Sequence, residues 1–198
     1  MQSGELGKVH VIKTTSRDHP LPSFEFLKTS GGIYHDCGSH DIDVVRWVLG
    51  EEPTEVYSTA HAFLGPIKEM DDYDTVVMIL KFPSGATAMI DLDRTSAYGY
   101  DQRIEVSAEK GMVQAENKSA TTVVTSTANG VARDKISHTF TDRYDDAYRL
   151  ELEHFVDLVL GIETQPKLTH EDVRRVSLIA DACHKSAQTG VPVKLNLV

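Results

Sequence analysis

Cysteine is scarce: Cys37 and Cys183 are the two thiols in 198 residues. They lie far apart and neither belongs to a CxxC pair, which excludes a disulfide scaffold and a cysteine-built zinc site. Two free thiols in a reducing, cytoplasmic compartment are the expectation. Positive charge is also short. Twenty Lys and Arg stand against thirty Asp and Glu, a formal charge of −10, so nucleic acid is excluded as a partner because too little would neutralise phosphates. No apolar run approaches the roughly 20 residues of a membrane span, and the first residues do not form a signal peptide. Membrane partners are therefore not expected. Also missing are GxGxxG after a strand, GxxxxGK[ST], GxSxG and HExxH. The chain carries no recognisable phosphate cradle, nucleophile elbow or zincin helix.

What remains is an ordinary globular composition, 40% hydrophobic and 25% charged, on a chain long enough for a core and read as one domain over 1–198. Residues 8–17 are β-branched and roughly alternating, which predicts a strand. Further strands are predicted over 54–63, 74–82, 86–94, 102–108, 112–116 and 120–126, with a weaker one at 136–140. Pro83-Ser84-Gly85 and Lys110-Gly111 are hairpin signals. Loops this short leave no room for crossover helices, so the sheet is expected to be mostly antiparallel. Helices are predicted over 39–49, 144–160 and from Thr169, where Asp172 three residues on resembles a capping box. Tyr148, Leu152, Phe155, Val156 and Val159 share a face of the second helix. Val173, Val176, Ala180, Cys183 and Ala187 share one of the third. Residues 191–195 make a short last strand, and the 64–73 loop is the expected mobile segment. The fold class is α+β: an open, mostly antiparallel sheet with helices packed on one face.

The most informative stretch is GGIYHDCGSHDIDVVRWVLG, residues 31–50. After the glycine pair, Asp36, His40 and Asp43 follow at i, i+4 and i+7, one stripe if the segment is helical. Val44, Trp47 and Val48 fall on a neighbouring stripe suited to anchoring the helix. A carboxylate one turn from an imidazole can orient the ring and stabilise its charged form, as a proton-transfer group requires. On spacing alone, a helix N-terminus with a capping acid and a buried histidine accounts for the same residues. A metal site is disfavoured, because His35 and Asp36 point in different directions on a helix and no distant Cys/His pair completes a set.

Tyr98, Gly99, Tyr100 and Asp101 precede a strand and could line a small-molecule pocket, an aromatic face against C–H groups and a carboxylate for hydroxyls. Of these, Tyr100 is the candidate substrate contact. Tyrosines packed on the sheet are the plainer account. Arg17 and Asp18, at the end of the first strand, are either a site contact or an exposed ion pair. His138, His154, His170 and His184 carry no assignment.

Taken in order, GELGKVHVIKTTSRD, the 31–50 stretch with EEPTEV, YGYDQRIEVSAEKGMVQAEN, RYDDAYRLELEHFVDLVLG and THEDVRRVSLIADACHKSAQTGVPVKL resemble the C-terminal domain of the Gfo/Idh/MocA oxidoreductases. GYDQRIEV makes the myo-inositol 2-dehydrogenase branch the nearest likeness. The likeness runs from about Ser3 to the last strand. It implies a two-domain dehydrogenase using NAD or NADP, whose N-terminal Rossmann domain of roughly 100–150 residues is absent from this chain. Also absent is the family's Glu-Lys-Pro segment, whose lysine completes the catalytic group. The resemblance implies catalytic roles for Asp36 and His40. His40 would accept the proton of a substrate hydroxyl while hydride leaves the same carbon, and Asp36 would orient the ring. Asp43, Tyr100 and Arg17 are the candidate substrate contacts. The implied partners are a small polyol or sugar and further copies of the chain, a homo-oligomer through the sheet. A non-catalytic binding or assembly module built on the same domain is the alternative class.

Overall fold

The computed structural model describes residues 4–197; Ser3, where the likeness begins, lies outside them. Nine strands and six helices follow one another in the described chain. β1 (Val9–Arg17) leads through α1 (Phe24–Leu27), α2 (Ile33–Asp36) and α3 (Gly38–Leu49) to β2 (Glu55–His61). A short α4 (Gly65–Glu69) precedes β3 (Thr75–Lys81), β4 (Thr87–Asp93), β5 (Asp101–Ala108) and β6 (Gly111–Ala115). The hairpin β7 (Val124–Thr127) and β8 (Gly130–Arg133) is followed by α5 (Phe140–Val159), α6 (His170–Thr189) and β9 (Val193–Lys194).

Seven strands form one sheet in the order β6-β5-β1-β4-β3-β2-β9. Every pairing is antiparallel except that of β1 with β4. That single parallel pair arises because the chain leaves β1 through three helices and returns by β2 and β3, and it brings the C-terminal ends of β1 and β4 side by side. The alternation of each strand divides its residues between two faces. Ile12, Val76, Met78, Leu80, Ile90 and Leu92 face the helices and are buried with Ile42 and Val45 of α3 and Ile179 and Cys183 of α6. Burying an aliphatic side chain of this kind stabilises by about 1.5–3 kcal/mol, so this layer holds the domain together.

Glycine matters where α3 meets that layer. A Cβ on Gly38 would stand 3.3 Å from Leu92 Cδ1 and 3.4 Å from Met78 Cε. The helix can start hard against the sheet only because no side chain is there. At its other end Gly50 closes α3 in the left-handed conformation, its N–H on Arg46 O at 2.8 Å. The expected capping box of α6 is present, with Thr169 and Asp172 bonding each other's backbone N–H.

Several expectations needed correction. Trp47 does not anchor α3: it is 75% exposed, while Ile42 and Val45 are the residues in the core and Val44 and Val48 pack only at its margin. Residues 64–73, expected as a loop, include the short helix α4, whose Ile67 is buried. Residues 136–140 form no strand, only an isolated bridge from Ile136 to Ser119, because α5 begins at Phe140. The predicted strand at 120–126 shortens to β7 and pairs with β8 outside the main sheet. The apolar face of α5 lies open, with no buried residue in 20. Val173 of α6 is exposed as well, whereas Val176, Ala180 and Cys183 are buried.

Candidate active site

The C-terminal ends of β1 and β4, the end of α2 and the first turn of α3 meet at one rim of the sheet. A cavity of about 530 Å³ opens there. Asp36 and His40 both line it, as do Asp18, Asp41, Arg94 and Tyr100. Gly32, at φ +83° ahead of α2, and the Asp72 carboxylate that accepts Ile33 N–H at 3.1 Å fix where the helical segment starts. One further turn carries His40 to the cavity mouth, where it is exposed.

Asp36 does not orient the imidazole by a hydrogen bond. Its Oδ2 accepts from Arg94 Nη1 at 2.6 Å, and among the described residues no hydrogen bond joins it to His40. The same Arg94 nitrogen also donates to Asp18 Oδ2 at 3.2 Å and lies 2.8 Å from Cys37 Sγ. Arg94 is only 1% exposed. Its Nε and Nη2 are buried without a partner. Burial pushes the Asp18 carboxyl up from its ordinary range, with the Arg94 cation opposing it only in part. Burial, followed by the Asp18 charge, drives the Cys37 thiol well up, so it stays protonated, its S–H donating to Asp18 at 3.4 Å.

Asp41 forms a second buried centre beside the first. Ser16 Oγ lies 2.6 Å from Asp41 Oδ2 and 2.8 Å from Gln102 Oε1. A hydroxyl has one proton to donate, so it cannot serve two acceptors. An Asp41 carboxyl that keeps its own proton and donates it to Ser16 satisfies the triplet. Burial favours that state, since it raises Asp41 against the pull of Ser16 and Thr14. The aromatic wall comes from Tyr100 and Tyr144, ring centres 6.2 Å apart and edge to face. Burial raises both phenols, which therefore remain neutral donors. Tyr144 is brought in by a kink in α5, where its backbone leaves helical geometry at φ −120°, ψ 21°.

Two of the sequence candidates stand elsewhere. Arg17 projects from the opposite face of the sheet, because β1 alternates and Ser16 takes the cavity side; it pairs with Asp91 and reaches Tyr98 Oη at 3.4 Å. Asp43 turns toward Arg46 Nη1 at 3.1 Å, in a cluster with Glu52 and Asp172, and is not on the cavity wall. Asp36 ends α2 whereas Asp43 lies in α3, so the two do not share the one continuous helical stripe that the spacing predicts. Arg94, Asp41 and Tyr144 were missed. An arginine after an alternating strand reads as a surface charge, Asp41 lies one position off the stripe, and the kink at Tyr144 has no sequence signal. Among the described residues no group of three or more His, Cys, Asp or Glu is placed to hold a metal ion, and no helix is long and apolar enough to cross a membrane.

The model of the GFO/IDH/MocA C-terminal domain matches residues 1–114, and the chain belongs to that family. It is 38% identical over 199 residues to the myo-inositol 2-dehydrogenase of Thermotoga maritima, a match covering 100% of this chain and 59% of that protein. A solved structure of a probable dehydrogenase from the same organism superposes with a TM-score of 0.94 at 38% identity, covering 100% of this chain and 60% of that one. The scyllo-inositol dehydrogenase of Lactobacillus casei, solved with NAD(H) and scyllo-inositol, gives 0.87 at 26% identity over 98% of this chain and 58% of that one. The chain thus spans less than two thirds of the length of these relatives.

Proposed function

We propose that residues 1–198 are the substrate-binding and catalytic domain of a nicotinamide-dependent oxidoreductase, acting on a secondary CH–OH of an inositol-like polyol or sugar. One observation carries the reading: Asp36 and His40 stand on the wall of a single open cavity whose volume falls in the range of small-ligand sites. The relatives named for inositol supply the substrate class. Neutral Tyr100 and Tyr144 suit a polyol ring, offering apolar faces to its C–H groups and hydroxyls to its oxygens.

The His40 ring has no protein hydrogen bond among the described residues, so a ring nitrogen is left to take the hydroxyl proton of a bound polyol and return it in the reverse direction. Asp36, one turn earlier and paired to Arg94, places negative charge near the imidazolium that forms. The described residues do not fit a dinucleotide: no strand among them runs through a glycine-rich loop into a helix, the arrangement that cradles its phosphates. NAD or NADP belongs to another domain in this reading, and hydride chemistry is the cofactor's contribution. The outer sheet face serves association with further copies, and unpaired Cys37 and Cys183 suit a reducing cytoplasm.

The test is His40→Ala in a full-length protein that includes a cofactor domain, assayed with myo-inositol and NAD. Turnover is expected to fall about 100-fold or more, with KM changed far less. Unchanged kcat would remove His40 from the chemistry.

A further inference from the structure

We propose that Arg94 is the positioning residue of this site, a buried cation that ties Asp36 to Asp18 and so holds the carboxylate one turn below His40 in a fixed place. The inference rests on reading Asp36 and His40 as the proton-transfer pair.

Three separate stretches of chain converge on this guanidinium. Arg94 follows β4, Asp18 follows β1, and Asp36 ends α2. The parallel pairing of β1 with β4 brings the first two together, and backbone bonds lock them: Asp18 N–H to Asp93 O at 2.9 Å and Arg94 N–H to Asp74 O at 2.8 Å. A cation anchored to the sheet in this way sets where the helical carboxylate can rest. Without it Asp36, half-buried on a helix, could turn toward the imidazole one turn on. The donor usage supports a role beyond holding the fold. Nη1 alone meets Asp36, Asp18 and Cys37, while Nε and Nη2 are buried with no acceptor. Buried ion pairs with unmet donors contribute little net stability, and an apolar side chain of similar volume often does as well. The charge is therefore placed for the acids it holds. The charged or titratable groups facing this centre are Asp18 from the end of β1, Asp36 and Cys37 from the α2 end, and the Tyr100 phenol ahead of β5. Asp41 and Asp43 of α3 act on the His40 side.

The experiment uses the 198-residue chain and the ring resonances of its histidines by NMR, at one fixed neutral pH, in R94M, R94K, D36N and the R94M/D36N pair. Thermal melts and amide spectra first establish that each variant is folded. In R94M the released Asp36 turns to the ring, so the His40 resonances move toward their protonated values while those of His10 and His61 stay put. R94K, which restores the charge, recovers most of the shift. In the D36N background the R94M effect largely disappears, the non-additivity expected when one residue acts through another. A folded R94M with His40 unchanged overturns the proposal. So does a shift that persists undiminished beside D36N, because Arg94 would then act by its own field or by packing. Should R94M not fold, R94Q and the R94Q/D36N pair, which also remove the charge, give the same comparison. None of these readouts needs turnover, so their outcome is independent of the His40→Ala assay.

Discussion

Asp41 shows what one buried carboxyl can decide. It sits next to His40 in sequence but turns inward, against Ser16, and burial pushes its carboxyl up. A group raised in the folded state adds stability below its unfolded value, near pH 4, and loses it as pH rises through the folded value. Asp41→Asn keeps the shape and a donor for Ser16 while removing that loss. The variant is expected to melt at or above the unsubstituted chain at pH 8, with the difference shrinking toward pH 4. A variant clearly less stable at pH 8 would mean that Asp41 is ionised and well paired there. At this scale the sequence was half legible. Asp36 and His40 were marked by their spacing, and the structure does bring them to one cavity. Their relation was not legible, because the partner that takes Asp36 is 58 positions away.

The elements divide between those that hold the domain and those that do not. α6 lays Ile179, Ala180 and Cys183 in the core, whereas α5, with an equally apolar face, has no fully buried residue and reaches the rest of the domain at the cavity through Tyr144. Periodicity reports that a face is apolar, not what covers it. Ile179→Ala is therefore expected to cost about 2–5 kcal/mol in urea unfolding of the chain. Leu152→Ser, at a position 65% exposed, is expected to stay within about 0.5 kcal/mol. Equal losses would show that α5 is packed in solution. Strand positions were well read from alternation and hairpin turns, since short antiparallel connections leave few choices. The 120–126 and 136–140 strands were misjudged in pairing or in kind, because sequence gives local propensity without naming a neighbour.

For the whole molecule, the sheet has a second face. Tyr57, Ile79 and Met89 lie in one row across β2, β3 and β4 by register, an apolar strip opposite the helices. We expect this face to pair with another copy, giving a mass of a dimer or larger by light scattering, and Ile79→Asp to return the chain to a monomer while leaving it folded. A monomeric mass for the unsubstituted chain would count against the interface. An oligomer indifferent to Ile79→Asp would place the contact elsewhere.

The sequence by itself determined the class of fold, the succession of the main-sheet strands β1 to β6, the three long helices, and the acid and histidine one helical turn apart. These follow from periodicity, turn residues and short-range offsets, which act between neighbours in the chain. Only the tertiary structure decided that Arg94 takes Asp36, that Arg17 and Asp43 face away, and that α5 stands uncovered. Those outcomes depend on which strand ends lie side by side and which face of each element meets another, and the parallel β1–β4 pair that sets them joins residues far apart in the chain.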